Sequence, residues 1–286
     1  MPDIFLIARC DEATAQSVAK TLDTALEDNG TAYSIFEVGP NTWEVSVYPT
    51  RDDREAVERI IANALSELTF EERDLADENW VAHSLEGLRP VRAGRFVVHG
   101  AHDREAVTAH DVAIEIEAGE AFGTGHHATT AGCLLAIEKQ LQRGTPGRVL
   151  DVGTGSGVLA IAIAKRCPAT IIATDIDPVA VRTARENARA NGVAPRIRFA
   201  RADGLEHSLI AAGSPYHLIV ANILAAPLRG LAPSIARNVR PGGGVILSGI
   251  LNRQERSVLT AYRRYDLVPR QIIRQEGWSI LTLSRP

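Results

Sequence analysis

The 286-residue sequence predicts an α/β protein in two parts. A small α+β unit comes first, and a mostly parallel, doubly wound sheet follows. Three observations predict this. Residues 1–78 read as β-α-β-β-α-β, the order of the split βαβ or ferredoxin-like unit. From Arg148 onward short apolar strands alternate with helices, which demands a parallel sheet covered on both faces. The two parts also differ in sign: residues 1–90 hold 7 Lys/Arg against 19 Asp/Glu, net −12, and the remainder holds 24 against 16, net +8.

The elements follow in order. Ile4–Ala8 is an apolar strand. Ala15, Val18, Ala19, Leu22 and Leu26 recur at helical spacing, and Gly30 stands where the helix stops. Tyr33–Val38 reads as a strand, Gly39, Pro40 and Asn41 as a turn, and Trp43, Val45 and Val47 alternate with polar residues as a half-buried strand. Val57, Ile60, Ile61, Ala64, Leu65 and Leu68 mark a second helix, and a weaker strand is expected within Thr69–Leu75. Residues 79–90 are read as a linker, with the connector's loose composition running to Gly94. A hairpin is expected at Arg95–His99 and Val112–Glu117. Residues 91–286 form the second domain. Its strands are expected at Arg148–Val152, Thr170–Thr174, Arg196–Ala200, His217–Ala221 and Gly244–Leu247. A helix spans Val158–Arg166. Asp177 caps the next helix, Pro178 opens it and Gly192 ends it. Val268–Arg274 and Trp278–Leu283 are spaced as a closing antiparallel pair.

Composition narrows the class. Three scattered cysteines, Cys10, Cys133 and Cys167, make neither a disulfide framework nor a Cys-type zinc site. The first residues carry an acid and no basic n-region, and no uncharged run reaches membrane-spanning length, so a cytoplasmic protein with no membrane contact is expected. The acidic first unit repels nucleic acid and attracts basic proteins; a merely solvated face is an equally open reading.

The stretch VLDVGTGSGVLAIAIAKRCPATIIATDIDP, residues 149–178, carries the chemistry. Gly153, Gly155 and Gly157 follow the first strand directly, where glycine lets backbone approach a ligand. A dinucleotide fingerprint requires G-x-G-x-x-G, and here position 158 is Val. Pyrophosphate also favours a helix N-terminus free of nearby acid, whereas Asp151 stands at the tip of this strand. That suits a cationic head without phosphate, as in S-adenosylmethionine. Asp175 ends the second strand and can accept both ribose hydroxyls. Asp203 can accept from an adenine amino group, with a turn aspartate before Gly204 as the alternative.

After the fourth strand the chain reads VANILAAPL, residues 220–228. Asn222 can accept a hydrogen bond from an amine N–H and aim its lone pair at a donor methyl; capping of the next segment is the alternative. Residues 119–130, GEAFGTGHHATT, read as a mobile lid before a helix that Thr129 or Thr130 can cap. His126 and His127 are adjacent, not at the spacing of ligands on one helix face, and no Cys or Glu completes a zinc motif, so no metal is expected. A packing or loop-ordering role fits them better.

AFGTGHHATT, LDVGTGSGVLAIA, TDIDPVAV, ANILAAPL and PGGGVILSGIL together resemble the bacterial ribosomal protein L-eleven (L11) methyltransferase family, PrmA, over roughly residues 115–285. The amino-terminal unit matches in size and position only. The resemblance implies a class I, Rossmann-like, seven-stranded methyltransferase domain. It implies methylation of the α-amine and lysine side chains of ribosomal protein L11. It implies donor contacts at Thr130, Gly153, Asp175 and Asn222, with Phe122 in a loop closing over the ligand. Ala128 stands where Pro is frequent and Ala226 where Gly is frequent; neither changes a polar contact.

The candidate site is therefore Asn222 as catalytic residue and Thr130, Gly153, Gly155, Asp175, Asn222, Phe122 and Asp203 around S-adenosylmethionine. The expected partner is basic ribosomal protein L11, recognised by residues 1–78, with no direct nucleic-acid contact and a monomeric chain. One rival is an enzyme methylating another basic protein or a nucleic-acid base amine. Base-methylating enzymes often carry Asn-Pro-Pro-aromatic after the fourth strand, and here Ile223 and Leu224 follow Asn222. The other rival is a regulatory module that binds an adenosine ligand without catalysis.

Overall fold

Alternating strands and helices must bury a sheet on both faces, and adjacent residues of each central strand accordingly serve opposite cores. The computed structural model describes residues 4–25, 31–39, 42–49, 54–65, 67–74, 90–116 and 127–286. The chain divides into two compact units, residues 1–87 and 88–286.

In the first unit β1 (Ile4–Cys10), α1 (Glu12–Ala25), β2 (Ala32–Gly39), β3 (Thr42–Tyr48), α2 (Arg54–Ala64) and β4 (Glu71–Asp74) follow one another. The strands pair antiparallel in the order β2-β3-β1-β4. Asp11 caps α1 by accepting from the Thr14 amide at 2.8 Å. Leu6, Val45 and Val47 meet Val18 and Leu22 of α1 and Val57 and Ile61 of α2 in one buried cluster. The apolar period through Leu68 overruns α2, because Leu68 already closes a turn onto the Leu65 carbonyl at 3.0 Å. Gly30 and the 79–89 stretch of the connector lie outside the described residues.

The second unit opens with β5 (Val91–Ala93), β6 (Phe96–His99) and β7 (Val112–Glu115) in a three-stranded sheet. The expected hairpin of 95–99 with 112–117 is wrong: β6 and β7 run parallel, from Phe96 opposite Val112 to His99 opposite Glu115. The hairpin partner of β6 is β5, through a turn at Gly94 with φ +60°. The connector therefore ends before Val91. A 3-10 segment, Ala101–Ala106, carries the chain toward β7, and Arg104 within it makes two bonds, 2.7 and 2.6 Å, to Glu115.

α3 (His127–Arg143), β8 (Arg148–Val152), α4 (Val158–Arg166), β9 (Thr170–Asp175), α5 (Pro178–Ala190), β10 (Ile197–Arg201), α6 (Ser208–Gly213), β11 (Tyr216–Asn222), α7 (Ala225–Asn238), β12 (Val239–Leu251), α8 (Glu255–Arg263), β13 (Val268–Gln275) and β14 (Trp278–Ser284) complete the unit. Seven strands form one sheet, β10-β9-β8-β11-β12-β14-β13. Pairings from β10 to β12 are parallel, and β14 is antiparallel to both its neighbours. Val149, Ile171 and Ile246 join Leu134, Ile137 and Ile161 in one core. Their chain neighbours Leu150, Ile172 and Val245 join Leu228, Ile235, Val258 and Tyr262 in the other. Asp177 caps α5 as expected, accepting from the Val179 amide at 2.7 Å, and Pro178 takes the first position. Neither Thr129 nor Thr130 stands at the N-cap: both lie inside α3, which begins at His127, and are buried. No helix among the described residues is long and apolar enough to cross a membrane.

Candidate active site

Ligand crevices in such sheets lie at the carboxyl ends of the strands. Here the loop between β8 and α4 builds one wall. Gly153, Gly155 and Gly157 all have positive φ, +68°, +53° and +84°, a region that costs other residues roughly 1–2 kcal/mol. The loop is tied at four points. The Thr154 amide donates to the Thr174 carbonyl at 2.9 Å, the Gly157 amide to the Thr154 carbonyl at 2.8 Å, and Asn187 Nδ2 to the Ser156 carbonyl at 2.9 Å. The Gly155 amide donates to Asp175 Oδ2 at 2.9 Å.

Asp151 is not the exposed tip that its position suggests. It lies within β8 between Ala173 and Val220 and is 1% exposed. Its Oδ2 accepts from Thr154 Oγ1 at 2.7 Å and from the Ala160 amide at 3.2 Å. The chain's own carboxylate thus occupies the anion site at the N-terminus of α4, and a pyrophosphate has no place there. Asp151 opposes a dinucleotide by filling the phosphate position, not by facing a cationic head as its place in the sequence suggests. Burial pushes its pKa up to about 7, opposed by the bonds from Thr154 and Ala160 and reinforced by the charge of Asp175. Its Oδ1 is buried without a hydrogen-bond partner among the described residues.

Asp175 ends β9. Its Oδ2 takes the Gly155 amide and its Oδ1 the Asp177 amide at 3.1 Å. A carboxylate has about four acceptor positions, so two remain for a diol. Ile176, next in the chain, is 59% exposed. The Ala202 amide donates to the Asp175 carbonyl at 2.9 Å, which sets exposed Asp203 beside the same crevice.

On the other wall Asn222 closes β11, paired with Ser248 of β12. Its Nδ2 faces Thr129 Oγ1 at 3.5 Å, the outer limit of a hydrogen bond. The capping alternative fails, since the N-cap of α7 is Leu224 and no side chain caps it. Ile223 is seated between two glycines. A Cβ at Gly153 would lie 2.3 Å from Ile223 Cγ2, and one at Gly249, whose φ is +79°, would lie 2.3 Å from the Ile223 carbonyl oxygen. These close approaches hold Asn222 at the mouth of the crevice.

The structure thus brings Gly153, Gly155, Asp175, Asn222 and Asp203 to the carboxyl ends of adjacent parallel strands. Thr130 lies buried on the first turn of α3, next to the Thr129 that meets Asn222. Phe122 and His126 fall outside the described residues, as does the side chain of His127. The sequence reading missed Thr129 as a partner of Asn222, Ile176 as an exposed apolar surface and Gly249 as the seat of Ile223. Only Gly249 left a signal, an isolated glycine inside an apolar strand.

The family model described as "Ribosomal protein L11 methyltransferase (PrmA)" matches residues 7–286. The chain belongs to this family. A family relative from Brucella suis, a ribosomal protein L11 methyltransferase, is 50% identical over 280 residues, 97% of this chain and 98% of that protein. One from Rhizobium meliloti is 45% identical over the full length of both. A solved structure of a ribosomal protein L11 methylase from Lactobacillus delbrueckii subsp. bulgaricus covers 69% of this chain and 99% of its own, with a TM-score of 0.63 at 32% identity. The family model takes in the amino-terminal unit, where the motifs alone were silent.

Proposed function

We propose that the chain transfers methyl groups from S-adenosylmethionine to amines of ribosomal protein L11, the lysine side chains and the α-amine. Family membership over residues 7–286 supports the substrate. The observation that carries the donor is the Asp151 carboxylate at the N-terminus of α4, which leaves a crevice for an adenosine ligand without phosphate. The residues present fit that donor: Asp175 offers its remaining lone pairs to the ribose, Ile176 an apolar surface to the adenine, and Asp203 an acceptor to the exocyclic amine.

When bound, S-adenosylmethionine supplies an electrophilic methyl group on a sulfonium. The acceptor must arrive as a neutral amine, although lysine ordinarily titrates near pH 10.4. Desolvation in the crevice lowers that value. Asn222 turns its Nδ2 to Thr129, which leaves Oδ1 to accept an amine N–H and direct the lone pair. Among the described residues, the side chains recorded beside Asn222 are the hydroxyls of Thr129 and Ser248. Rate enhancement then rests on proximity and orientation. Residues 1–78, net acidic, select the basic protein, and the chain works as a cytoplasmic monomer.

The test supplies labelled methyl donor, this protein, and an extract of cells that lack it. Label in ribosomal protein L11, at amine positions, is the expected result. Label in RNA or in another protein alone overturns the reading.

A further inference from the structure

A second concavity lies at the opposite end of the sheet, where the parallel strands begin. It is a cavity of about 370 Å³ between the end of α3, the starts of β11, β12 and β13, and the end of β14. Arg143, Arg240, Arg270 and His217 line it, and its lining contains no Asp or Glu. Neither Arg143 nor Arg240 has a carboxylate partner among the described residues. Arg270 has spent only Nε, on Ser284 Oγ at 2.6 Å. His217 Nδ1 accepts from the Arg148 amide at 3.2 Å, so its Nε2 carries the proton. Gly242 has φ +71° and open space where a Cβ would stand.

Three arginines from separate elements converge here beside the His217 ring, with no Asp or Glu in the lining, an arrangement that costs repulsion unless an anion joins it. We propose that this cavity binds a multiply charged phosphate group, either a free oligophosphate or the backbone of an RNA. Three guanidinium groups match a polyanion in charge, and their planar forks bind phosphate oxygens in pairs. Thr145 and Ser284 add hydroxyl donors. Burial, then the charges of Arg240 and Arg148, hold the His217 pKa below its usual value. An anion among Arg143, Arg148, Arg240 and Arg270 must raise it. The site is independent of the methyl-donor crevice, so it does not stand or fall with the activity proposed above.

The experiment uses the full chain with inorganic tripolyphosphate and, separately, a short oligoribonucleotide. Calorimetry measures binding, and NMR follows the His217 ring through pH, assigned with His217→Gln. Tripolyphosphate should bind and move the His217 midpoint upward. Arg143→Gln with Arg240→Gln should weaken it about 10- to 100-fold, the usual range for losing charge-assisted bonds, with S-adenosylmethionine affinity unchanged. Both arginines are exposed, so the fold should survive, and circular dichroism verifies it. Oligoribonucleotide binding that tripolyphosphate displaces identifies the RNA backbone as the source; binding of tripolyphosphate alone identifies a free oligophosphate. Absence of binding, an unmoved His217 midpoint, or full affinity in the double variant overturns the proposal.

Discussion

Gly153→Ala tests whether the close approach of the glycine loop to Ile223 organises the site. Two effects add at this position. The backbone has φ +68°, which costs an alanine roughly 1–2 kcal/mol. Restricting the unfolded chain returns about 0.4–1 kcal/mol. The new Cβ would then stand 2.3 Å from Ile223 Cγ2, whereas carbon atoms pack at about 3.5–4.0 Å. One partner must yield by more than an ångström, and overpacking of this kind costs about 1–3 kcal/mol.

Gly192→Ala is the matched control. Its φ is +70°, and nothing lies within 4 Å of the added methyl. It carries the backbone effect without the overlap, so Gly153→Ala should be the more destabilising by about 1–3 kcal/mol. Native-state hydrogen exchange of amides in β8 and β11 reads the second unit by itself. Ile223→Ala removes Cγ2, so Gly153→Ala should cost less in that background, a coupling that a double-mutant cycle measures. Methyl transfer should fall with Gly153→Ala and not with Gly192→Ala, because displaced Ile223 carries Asn222 with it. Equal stability losses at the two glycines, or a cost at Gly153 unchanged by Ile223→Ala, would refute the reasoning.

Asp175→Ala removes the acceptor of the Gly155 and Asp177 amides together with the proposed ribose contact; calorimetry should show donor binding weakened by at least 1.5–3 kcal/mol, roughly one charged hydrogen bond, and unchanged affinity would reject the assignment. Asn222→Ala should lower single-turnover rate more than donor affinity, because it orients the acceptor; the reverse pattern would make it a donor ligand only. Asp151 has a folded pKa near 7, above the unfolded value of about 3.9. The native state therefore binds more protons between those values, and stability should fall as pH rises from about 4 to about 7. Asp151→Asn should flatten that slope in denaturant titrations; an unaltered slope would show that another group causes it. Deleting residues 1–87 should spare donor binding and abolish methylation of L11 at low concentration, and raised salt should reproduce part of that loss in the full chain; equal methylation by both forms would remove the recognition role.

What the sequence disclosed and what it withheld divide along chain distance. The bounds of β8 and α4 were legible because buried parallel strands and their helices announce themselves within a few residues, and Asp177-Pro178 marks a helix start locally. The pairing of β6 with β7 was not. A hairpin joins its strands through about 2–5 residues, whereas residues 100–111 separate these two, a length that suits a parallel crossover, and the tight turn at Gly94 makes β5 the hairpin partner instead. Asp151 shows the same limit at the site. Its place beside the glycine loop was visible, but its burial depends on Ala173 and Val220, 22 and 69 positions away. Thr129 meets Asn222 across 93 residues. Local pattern therefore located the glycine loop and Asn222, while Thr129, which faces Asn222, and Ser248, which pairs with it, became visible only in the folded chain. The seating of Ile223 between Gly153 and Gly249 joins these two halves: one segment is held by the glycine loop on one side and by the strand of Ser248 on the other. A shift in either glycine should therefore be felt first at Asn222, in the rate of transfer before the binding of the donor.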